Sequence, residues 1–378
     1  MTEEAPADDT GAIIAANRAA ADFYRTQLGR PTNPGPREYL RGRGFEKLLG
    51  ETRWAVGYSP RGWTSLTSHL LATGVSEPVL EAAGLSLRTR NGRLIDRFRD
   101  RLTFGIRDEQ DQLVGFTARC APRCSTTVPK YLNTPRTFAY NKSAQLFGLG
   151  EHVRTRNSCE YVVVVEGPLD AIAVDLACGE GAHVVAPLAL CGTAMSSEQA
   201  RLVEKLDPHT VVVALDRDRA GYQGAERVYQ LLRDGRVPLL TPNLPFDEDV
   251  ADHLARGGTR RLRDDLESVR SLADELIDAR LSSWADVRAS AERELCCLRE
   301  TATLIVQLRP SEIARQARRL TDVLGLPLHT VTRELIEAIA REHDLNGQAP
   351  VPGPRNPPSC CPAPTRQNYP VVGGRATP

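Results

Sequence analysis

The central part of the chain alternates between two patterns of apolar positions. The runs YVVVVEG, AHVVAPLAL, TVVVALD and VPLLTPNLP are apolar almost throughout, which is typical of strands buried on both faces. The stretches between them, PLDAIAVDLAC, SSEQARLVEKL and GYQGAERVYQLLRDG, have apolar residues at helical spacing and carry capping serines or a terminal glycine. Because strands and helices alternate, we predict an α/β domain over residues 159–257, with a parallel sheet covered by helices on both faces.

The segments on either side have other patterns. Residues 12–158 begin with a helical stretch and continue through helices and loops around the aromatic turn RWAVGYSPRGW. The runs RLTFGI and LVGFTARC flank the polar segment RDEQDQ and predict a strand pair joined as a hairpin. Residues 268–345 have helical periodicity and predict a helical bundle. Acidic residues 1–11 and proline-rich residues 346–378 predict disordered termini.

Composition restricts the classes of protein that fit. The formal net charge is zero, so a nucleic-acid surface has to be a local patch. No apolar stretch is long enough to cross a membrane, and the acidic N-terminus lacks a secretory pattern. Nine irregularly spaced cysteines favour a reducing, cytoplasmic location. Cys120 and Cys124 are not followed by a second pair, so we expect no zinc in this chain.

Acidic residues follow the predicted strands of the α/β domain. Glu166 and Asp216 stand where two apolar runs stop, and ligands of parallel sheets bind at this edge. The other acidic residues near it are Asp170, Asp218 and the run FDEDVAD, which contains Asp249 and Asp252. Two such charges about 4 Å apart repel by roughly 4 kcal/mol, so a divalent cation, Mg²⁺ or Mn²⁺, is the expected ligand. The alternative is that each carboxylate caps a helix or is solvated.

A basic segment precedes this domain. Lys130 and Lys142 lie in PKYLNTPRTFAYNK, and arginines including Arg97 and Arg119 lie upstream of it. Basic residues interleaved with aromatic ones are typical of single-strand binding, although a solvated loop fits equally well. We expect the aromatic residues of this segment to belong to the core. Gly192 and Thr193 end another strand, where the glycine lets the backbone approach a phosphate or simply makes a turn.

Several of these motifs together resemble a known family. VVVVEGPLD, LALCGTAMSSEQ, VVVALDRDRAG and LPFDEDVADHL are similar to the successive motifs of a Toprim domain, which occurs in primases, topoisomerases and some nucleases. RFRDRLTFGIRDEQDQLVGFTAR and PKYLNTPRTFAYNKSAQLFGL resemble the basic subdomain that precedes Toprim in DnaG-type bacterial primases. The resemblance extends over about residues 12–256, and it implies a primase catalytic core rather than a topoisomerase.

The resemblance implies a role for each matching residue. Glu166, Asp216 and Asp218 are the implied catalytic residues, with Glu166 as the acid/base. The implied metal-binding carboxylates are Glu166, Asp170, Asp216, Asp218, Asp249 and Asp252, with Asp247 as an alternative in the last motif. The implied template-binding residues are Lys130, Lys142, Arg97 and Arg119. Gly192, Thr193 and Arg217 are the candidates for nucleotide binding, although Arg217 projects to solvent in the alternative interpretation.

The function implied by the resemblance is synthesis of RNA primers on single-stranded DNA from ribonucleoside triphosphates. No cysteine precedes Cys120, so the zinc module usual at the start of such primases is not in this sequence. We therefore expect that a partner supplies a zinc module in trans, and that a replicative helicase is a further partner. The alternatives are a Toprim-type nuclease and a non-catalytic single-stranded-DNA-binding protein of a mobile element.

Overall fold

A computed structural model describes residues 9–50, 52–120, 128–155, 159–179, 183–192, 194–245, 248–284 and 290–346. The chain forms two compact units. The first contains residues up to 232 together with 237–269, and the second contains residues 233–236 and the chain from 270 onward. Residues 1–8 and 347–378, for which we predicted disorder, lie outside the described residues, as do Thr193 and Asp247.

The first part of unit 1 is an antiparallel sheet with helices packed on it. The sheet has the strand order β1-β4-β5-β6, and β2 and β3 form a separate pair. The elements are α1 Thr10–Gly29, α2 Pro34–Gly42, β1 Val56–Ser59, α3 Ser65–Ala72, α4 Glu77–Ala82, β2 Ser86–Arg88, β3 Leu94–Asp96, β4 Arg101–Arg107, β5 Leu113–Cys120, β6 Tyr131–Asn133 and α5 Leu149–Thr155. The predicted hairpin of β4 and β5 is confirmed, with Phe104 opposite Thr117.

Helix α1 packs directly against β1, and this contact explains an error of the sequence interpretation. The segment around Gly57 was predicted as an aromatic turn, but Val56–Ser59 is a buried strand paired with β4. A Cβ atom on Gly57 would lie only 2.5 Å from Cβ of Tyr24, so glycine allows the helix to approach the strand closely. Helix α1 also begins at Thr10, capped by the side chain of Asp9, so residues 10 and 11 are not disordered as predicted.

The second part of unit 1 is the predicted α/β domain. Its elements are β7 Tyr161–Val165, α6 Pro168–Cys178, β8 Val185–Ala189, α7 Ser197–Lys205, β9 Thr210–Val213, α8 Arg219–Leu232, β10 Leu239–Pro242 and α9 Val250–Glu267, and the short strand β11 Val269–Ser271 follows where the chain passes from unit 1 to unit 2. The sheet order is β11-β10-β9-β7-β8, and β7 pairs in parallel with both β8 and β9. The parallel sheet is therefore confirmed. Helix α9 was not predicted; it contains a kink at Gly258, where φ is +75°.

One hydrophobic core joins the two sheets of unit 1. Trp54 stacks on Phe147 with a centroid distance of 5.0 Å, and both pack in the cluster that contains Val165 of β7. The backbone of Phe147 exchanges two hydrogen bonds with Ala189 at the end of β8, at 3.0 and 2.9 Å. The segment that carries the basic residues is thereby fixed to the edge of the parallel sheet.

Unit 2 consists mainly of helices. These are α10 Leu272–Ser282, α11 Ala291–Ile305, α12 Pro310–Leu324 and α13 Leu328–Asn346. Their buried residues are aliphatic for the most part, with Leu298, Ile305 and Leu320 fully buried. The bundle agrees with the helical periodicity of this segment. Among the described residues, no helix combines the length and the apolar character needed to span a membrane.

Candidate functional site

Glu166 and Asp216 lie side by side because their strands are neighbours in the parallel sheet. Val164 of β7 is paired with Val213 of β9, so both strands end at the same level. The backbone N–H of Asp216 donates a hydrogen bond of 3.3 Å to Oε1 of Glu166. The two carboxylates predicted from the strand ends are therefore at one edge of the sheet.

The surroundings of these carboxylates disfavour their charged forms. Burial, together with the charges of Asp216 and Asp218, raises the pKa of Glu166 to about 7, while the N–H of Asp216 and the charge of Lys130 oppose the rise. Burial, Asp249 and Asp218 raise the pKa of Asp216 to about 6, again against Lys130. Repulsion between such carboxylates is relieved either by protonation of one of them or by a bound cation.

Asp170 has a different geometry from the other acidic residues. Its Oδ2 accepts the N–H of Gly167 at 3.1 Å, and its Oδ1 accepts the N–H of Ala251 at 3.0 Å. The side chain is buried, and burial together with the charge of Asp249 raises its pKa. Asp170 thus connects the first turn of α6 to the first turn of α9, which fixes the third acidic segment next to the strand ends.

The third acidic segment forms the N-terminus of α9. Asp249 is the N-cap and accepts the N–H of Asp252 at 2.6 Å. Arg43, which follows α2, pairs through Nη2 with Asp252 at 2.6 Å and with Asp249 at 3.3 Å. Arg43 was missed by the sequence analysis, since nothing in the local pattern of REYLRGRGF indicates a partner more than 200 residues away.

Buried His253 contacts two carboxylates that flank the same acidic segment and helix α9. Its Nδ1 lies 2.8 Å from Glu248 and its Nε2 lies 2.7 Å from Asp265. Glu248 directly precedes Asp249, and Asp265 lies beyond the kink at Gly258. His253 therefore holds the two halves of α9 and the residue before its N-cap together.

Asp218 makes a local contact, whereas Arg217 contacts the loop that follows β10. Oδ1 of Asp218 accepts the N–H of Gly221 at 2.8 Å in the first turn of α8, and the residue is exposed. Arg217 donates from Nη1 to the carbonyl of Leu244 at 2.7 Å and is partly buried. The alternative in which Arg217 projects to solvent is therefore wrong for this conformation.

The predicted basic residues occupy different positions around the carboxylates. Lys130 is near enough to Glu166 and Asp216 to lower the pKa of both. Lys142 passes over Gly192, where a Cβ atom would lie 2.7 Å from its Nζ. Glycine at this strand end therefore makes room for the lysine side chain.

Arg119 and Arg97, the two arginines predicted to bind the template, contact different groups. Arg119 lies over the ring of Tyr39 at 4.8 Å, and Arg43 lies over the same ring at 5.8 Å. Arg97 is half-buried and donates to the carbonyl of Asn133 at 3.1 and 2.8 Å, at the end of β6. The structure thus gives Arg97 a contact that supports the backbone of β6.

The aromatic residues of the basic segment divide into three environments. Tyr140 belongs to the core, as predicted. Phe138 is 71% exposed, so its assignment to the core was wrong. The hydroxyl of Tyr131 lies about 3.2 Å from the position of a Cβ atom on Gly167, and burial and the charge of Asp170 raise its pKa. Tyr131 therefore borders the carboxylates, and the pattern of the sequence gave no signal for this.

The carboxylates at the strand ends offer the type of ligand that a hard divalent cation prefers. The charges of Asp216 and Asp218 act on Glu166, those of Asp249 and Asp218 act on Asp216, and carboxylate oxygens are the ligands that Mg²⁺ or Mn²⁺ prefers. Within the described residues, no three aspartate, glutamate, histidine or cysteine side chains are grouped so that they could hold a metal ion. A divalent ion bound here would therefore need oxygens of water or phosphate to complete its coordination.

Comparisons with known proteins agree with the fold. Residues 23–153 match the DNA primase catalytic core N-terminal domain, and residues 163–254 match the Toprim-like family. The DNA primase of Deinococcus radiodurans is 36% identical over 254 residues, which are 66% of this chain and 42% of that protein. The chain spans about half the length of the curated relatives it matches.

Solved structures of primases have the same fold. The RNA polymerase domain of Mycobacterium tuberculosis DnaG, in complex with double-stranded DNA carrying a 6-nucleotide overhang, is 31% identical with a TM-score of 0.65. The match covers 84% of this chain and 98% of that domain. A DnaG catalytic domain bound to single-stranded DNA is 26% identical with a TM-score of 0.66, over 84% of this chain and 96% of that one.

The antiparallel sheet with its basic segment, followed by a parallel sheet with carboxylates at its strand ends, defines a Toprim-containing catalytic core. The chain belongs to the DnaG-type DNA primase family, as a catalytic core. The Toprim primase family uses divalent metal ions.

We expect the metal-free protein to lose stability as the pH rises from about 5 to 8. The pKa of Glu166 in the folded protein is raised to about 7, so the native state keeps a proton that the unfolded chain has released. The free energy of unfolding therefore falls, on the order of 1–3 kcal/mol, as the pH passes through 7, and Asp216 acts in the same direction near 6.

Mg²⁺ should restore this stability at about pH 8, because it compensates the charges that repel. Thermal unfolding at about pH 5.5 and 8, with and without Mg²⁺, measures both effects. A melting temperature at pH 8 that does not respond to divalent ions would contradict a cation site here.

Proposed function

We propose that this chain synthesises RNA primers on single-stranded DNA. The observation that carries the proposal is the pairing of β7 with β9, which brings Glu166 and Asp216 together opposite Lys130. In the reaction, the 3′-hydroxyl of the growing primer attacks the α-phosphate of an incoming ribonucleoside triphosphate, and pyrophosphate leaves. Divalent ions supply charge neutralisation at the attacking and leaving oxygens.

In this proposal, some acidic residues bind the divalent ions and others hold neighbouring residues in place. Glu166, Asp216, Asp218 and Asp249 hold the divalent ions, which we propose to be Mg²⁺ with Mn²⁺ as the substitute. Glu166 also takes the proton of the attacking hydroxyl. Asp170 keeps Asp249 in place, and Asp252 holds Arg43 at the edge of the site.

The basic residues bind the nucleic acid and the nucleotide. Lys130 and Arg119, which lie next to the carboxylates and over Tyr39, bind phosphates of the template. Lys142, whose Nζ lies over Gly192, also binds a phosphate of the template, and Gly192 receives the triphosphate at the end of β8. We further propose a replicative helicase or a zinc module as a partner.

Incorporation of labelled ribonucleotides on single-stranded DNA tests the proposal. One template is bare, and the other carries a short annealed RNA, so that elongation is measured even where initiation needs a partner. We expect Mg²⁺-dependent elongation of the annealed RNA. The absence of any elongation with either metal ion, or cleavage of the template instead, would overturn the proposal.

The Lys142→Ala variant should bind single-stranded DNA more weakly and with a shallower salt dependence. Loss of one phosphate contact reduces the slope of log K against log salt by about 0.7. Lys205→Ala is the matched control, because Lys205 is 68% exposed on α7 and pairs with Glu109 at 2.8 Å. Fluorescence anisotropy across a salt series measures the slopes. Equal slopes for the two variants would remove Lys142 from the DNA-binding surface.

A further inference from the structure

Helix α9 changes direction at Gly258, between the acidic segment at its start and the rest of the helix. Gly258 has φ +75° and ψ 176°, a backbone conformation that is open almost only to glycine. The hydrogen-bond ladder of a helix does not continue through such a residue, so the backbone alone does not fix the angle between the two halves. Side-chain contacts therefore decide where the first half, which begins at the N-cap Asp249, is held.

His253 connects the two halves of α9 across this kink. Its side chain is 1% exposed and belongs to the first half. Nδ1 lies 2.8 Å from Oε2 of Glu248, directly before the N-cap, and Nε2 lies 2.7 Å from Oδ2 of Asp265 in the second half. The backbone N–H of His253 also donates to the carbonyl of Asp249 at 2.9 Å. One residue thus contacts the N-cap, the residue before it and the far half of the helix.

Each of the two carboxylates also has a more exposed cationic partner. Nη1 of Arg256 contacts Oε1 of Glu248, and Nε of Arg261 lies 3.7 Å from Oδ2 of Asp265. Both arginine side chains are more than half exposed, and ion pairs in contact with water contribute little to stability. The buried imidazole, which is shared by both carboxylates, is therefore the connection that holds them together.

The position of Asp249 depends on this connection. Asp170 accepts the N–H of Ala251 at 3.0 Å and so fixes one point of the first half to α6. Arg43 pairs with the carboxylate of Asp249 itself, at 3.3 Å, and leaves the backbone to be placed by other contacts. The bridge through His253 supplies the second fixed point. Carboxylates that bind a metal ion have to be held within about 0.5 Å of their working geometry, largely by residues that do not touch the ion.

We propose that His253 is a positioning residue for the divalent ion at the strand ends: it places Asp249 through Glu248 and Asp265, and thereby sets how tightly the ion is bound. The inference deepens the proposed function, on which it rests. His253 is buried and paired through both ring nitrogens, so it acts through its neighbours and not as a ligand or as an acid/base.

The Mg²⁺ dependence of two measurements tests this role in a His253→Leu variant. The Mg²⁺ concentration at the midpoint of stabilisation in thermal unfolding should rise by about tenfold, the lower end of the effect that partners behind metal ligands have on affinity. The Mg²⁺ midpoint for RNA elongation should rise by the same factor, and the rate at saturating Mg²⁺ should recover nearly to that of the wild type. A purely structural contact would instead lower the melting temperature or the rate at every Mg²⁺ concentration and leave both midpoints unchanged.

The Asp265→Ala variant is the second test, because Asp265 is 34% exposed and lies beyond the kink. It breaks the bridge while His253 and Glu248 remain in place. Both Mg²⁺ midpoints should rise, and the double variant His253→Leu/Asp265→Ala should exceed the larger single effect only slightly, since both changes remove the same connection. Wild-type Mg²⁺ midpoints for Asp265→Ala would overturn the inference, whether or not His253→Leu folds.

His183→Leu is the matched control. Nδ1 of His183 lies 2.6 Å from Glu160, so this variant also removes an imidazole from a carboxylate. Glu160 precedes β7, however, at the opposite end of the strand from Glu166. The Mg²⁺ midpoints of His183→Leu should equal those of the wild type. Midpoints that rise equally in His183→Leu and His253→Leu would contradict a specific role of His253.

The outcomes separate the two proposals. If the wild type elongates RNA but His253→Leu and Asp265→Ala keep its Mg²⁺ midpoints, only the positioning role fails. If the wild type incorporates no ribonucleotide while both variants raise the Mg²⁺ midpoint of thermal stabilisation, the positioning role stands and the proposed function fails.

Discussion

The Glu166→Gln variant is expected to elongate RNA on a DNA template about 10²- to 10⁴-fold more slowly than the wild type. The amide cannot accept the proton of the attacking hydroxyl and is a weaker ligand for a divalent ion. Glutamine retains the Oε1 atom that accepts the N–H of Asp216, so the strand ends keep their geometry. Rates of incorporation at saturating ribonucleotide measure the effect.

The same variant should fold at least as well as the wild type. It removes the carboxyl group whose pKa is raised by burial and by the charge of Asp216, and therefore the stability of the metal-free variant should depend less on pH than that of the wild type. Normal stability combined with lost synthesis identifies a chemical role for Glu166. A rate within about threefold of the wild type would reject that role.

Asp170→Ala should lose both stability and activity. Two buried N–H groups, those of Gly167 and Ala251, lose their acceptor, and each unsatisfied group costs about 1–3 kcal/mol. Relief of the repulsion by Asp249 offsets part of this cost, so we expect a net loss of about 2 kcal/mol. Because α9 is no longer fixed to α6, Asp249 moves away from the strand ends and elongation falls as well.

Urea denaturation together with RNA elongation measures these effects. Asp170→Asn should lie between the wild type and the alanine variant, since the amide oxygen replaces only one of the two acceptors. Asp234→Ala serves as a control, because the side chain of Asp234 is 94% exposed. An alanine variant at position 170 with wild-type stability would show that the connection between α6 and α9 contributes nothing.

The pattern of the sequence predicted the elements of the α/β domain well. The strands and helices from Tyr161 to Leu232 lie where the two periodicities indicated, because a strand buried on both faces has few sequence solutions other than a continuous apolar run. It failed for β1, a strand of only four residues that contains Gly57 and precedes Pro60. Its local signals are those of a turn, and the pairing with β4 and the packing of α1 make it a strand.

Helix α9 was missed for a related reason. Gly257 and Gly258 interrupt its periodicity, and glycine is a poor helix former. In the folded protein, the kink at Gly258 separates two helical segments that His253 connects through Glu248 and Asp265. These contacts lie between residues that the helical pattern does not relate to each other.

The sequence by itself determined that acidic residues follow buried parallel strands, and hence that Glu166 and Asp216 belong to one edge of a sheet. The reason is local, since the direction of a strand and the position of its end are encoded in its own residues. Only the tertiary structure decided that β7 and β9 are neighbours, that Asp170 accepts two backbone N–H groups and that Arg43 pairs with Asp249. Strand order and long-range ion pairs depend on contacts between distant segments, and hydrophobic periodicity is the same for every order of the strands.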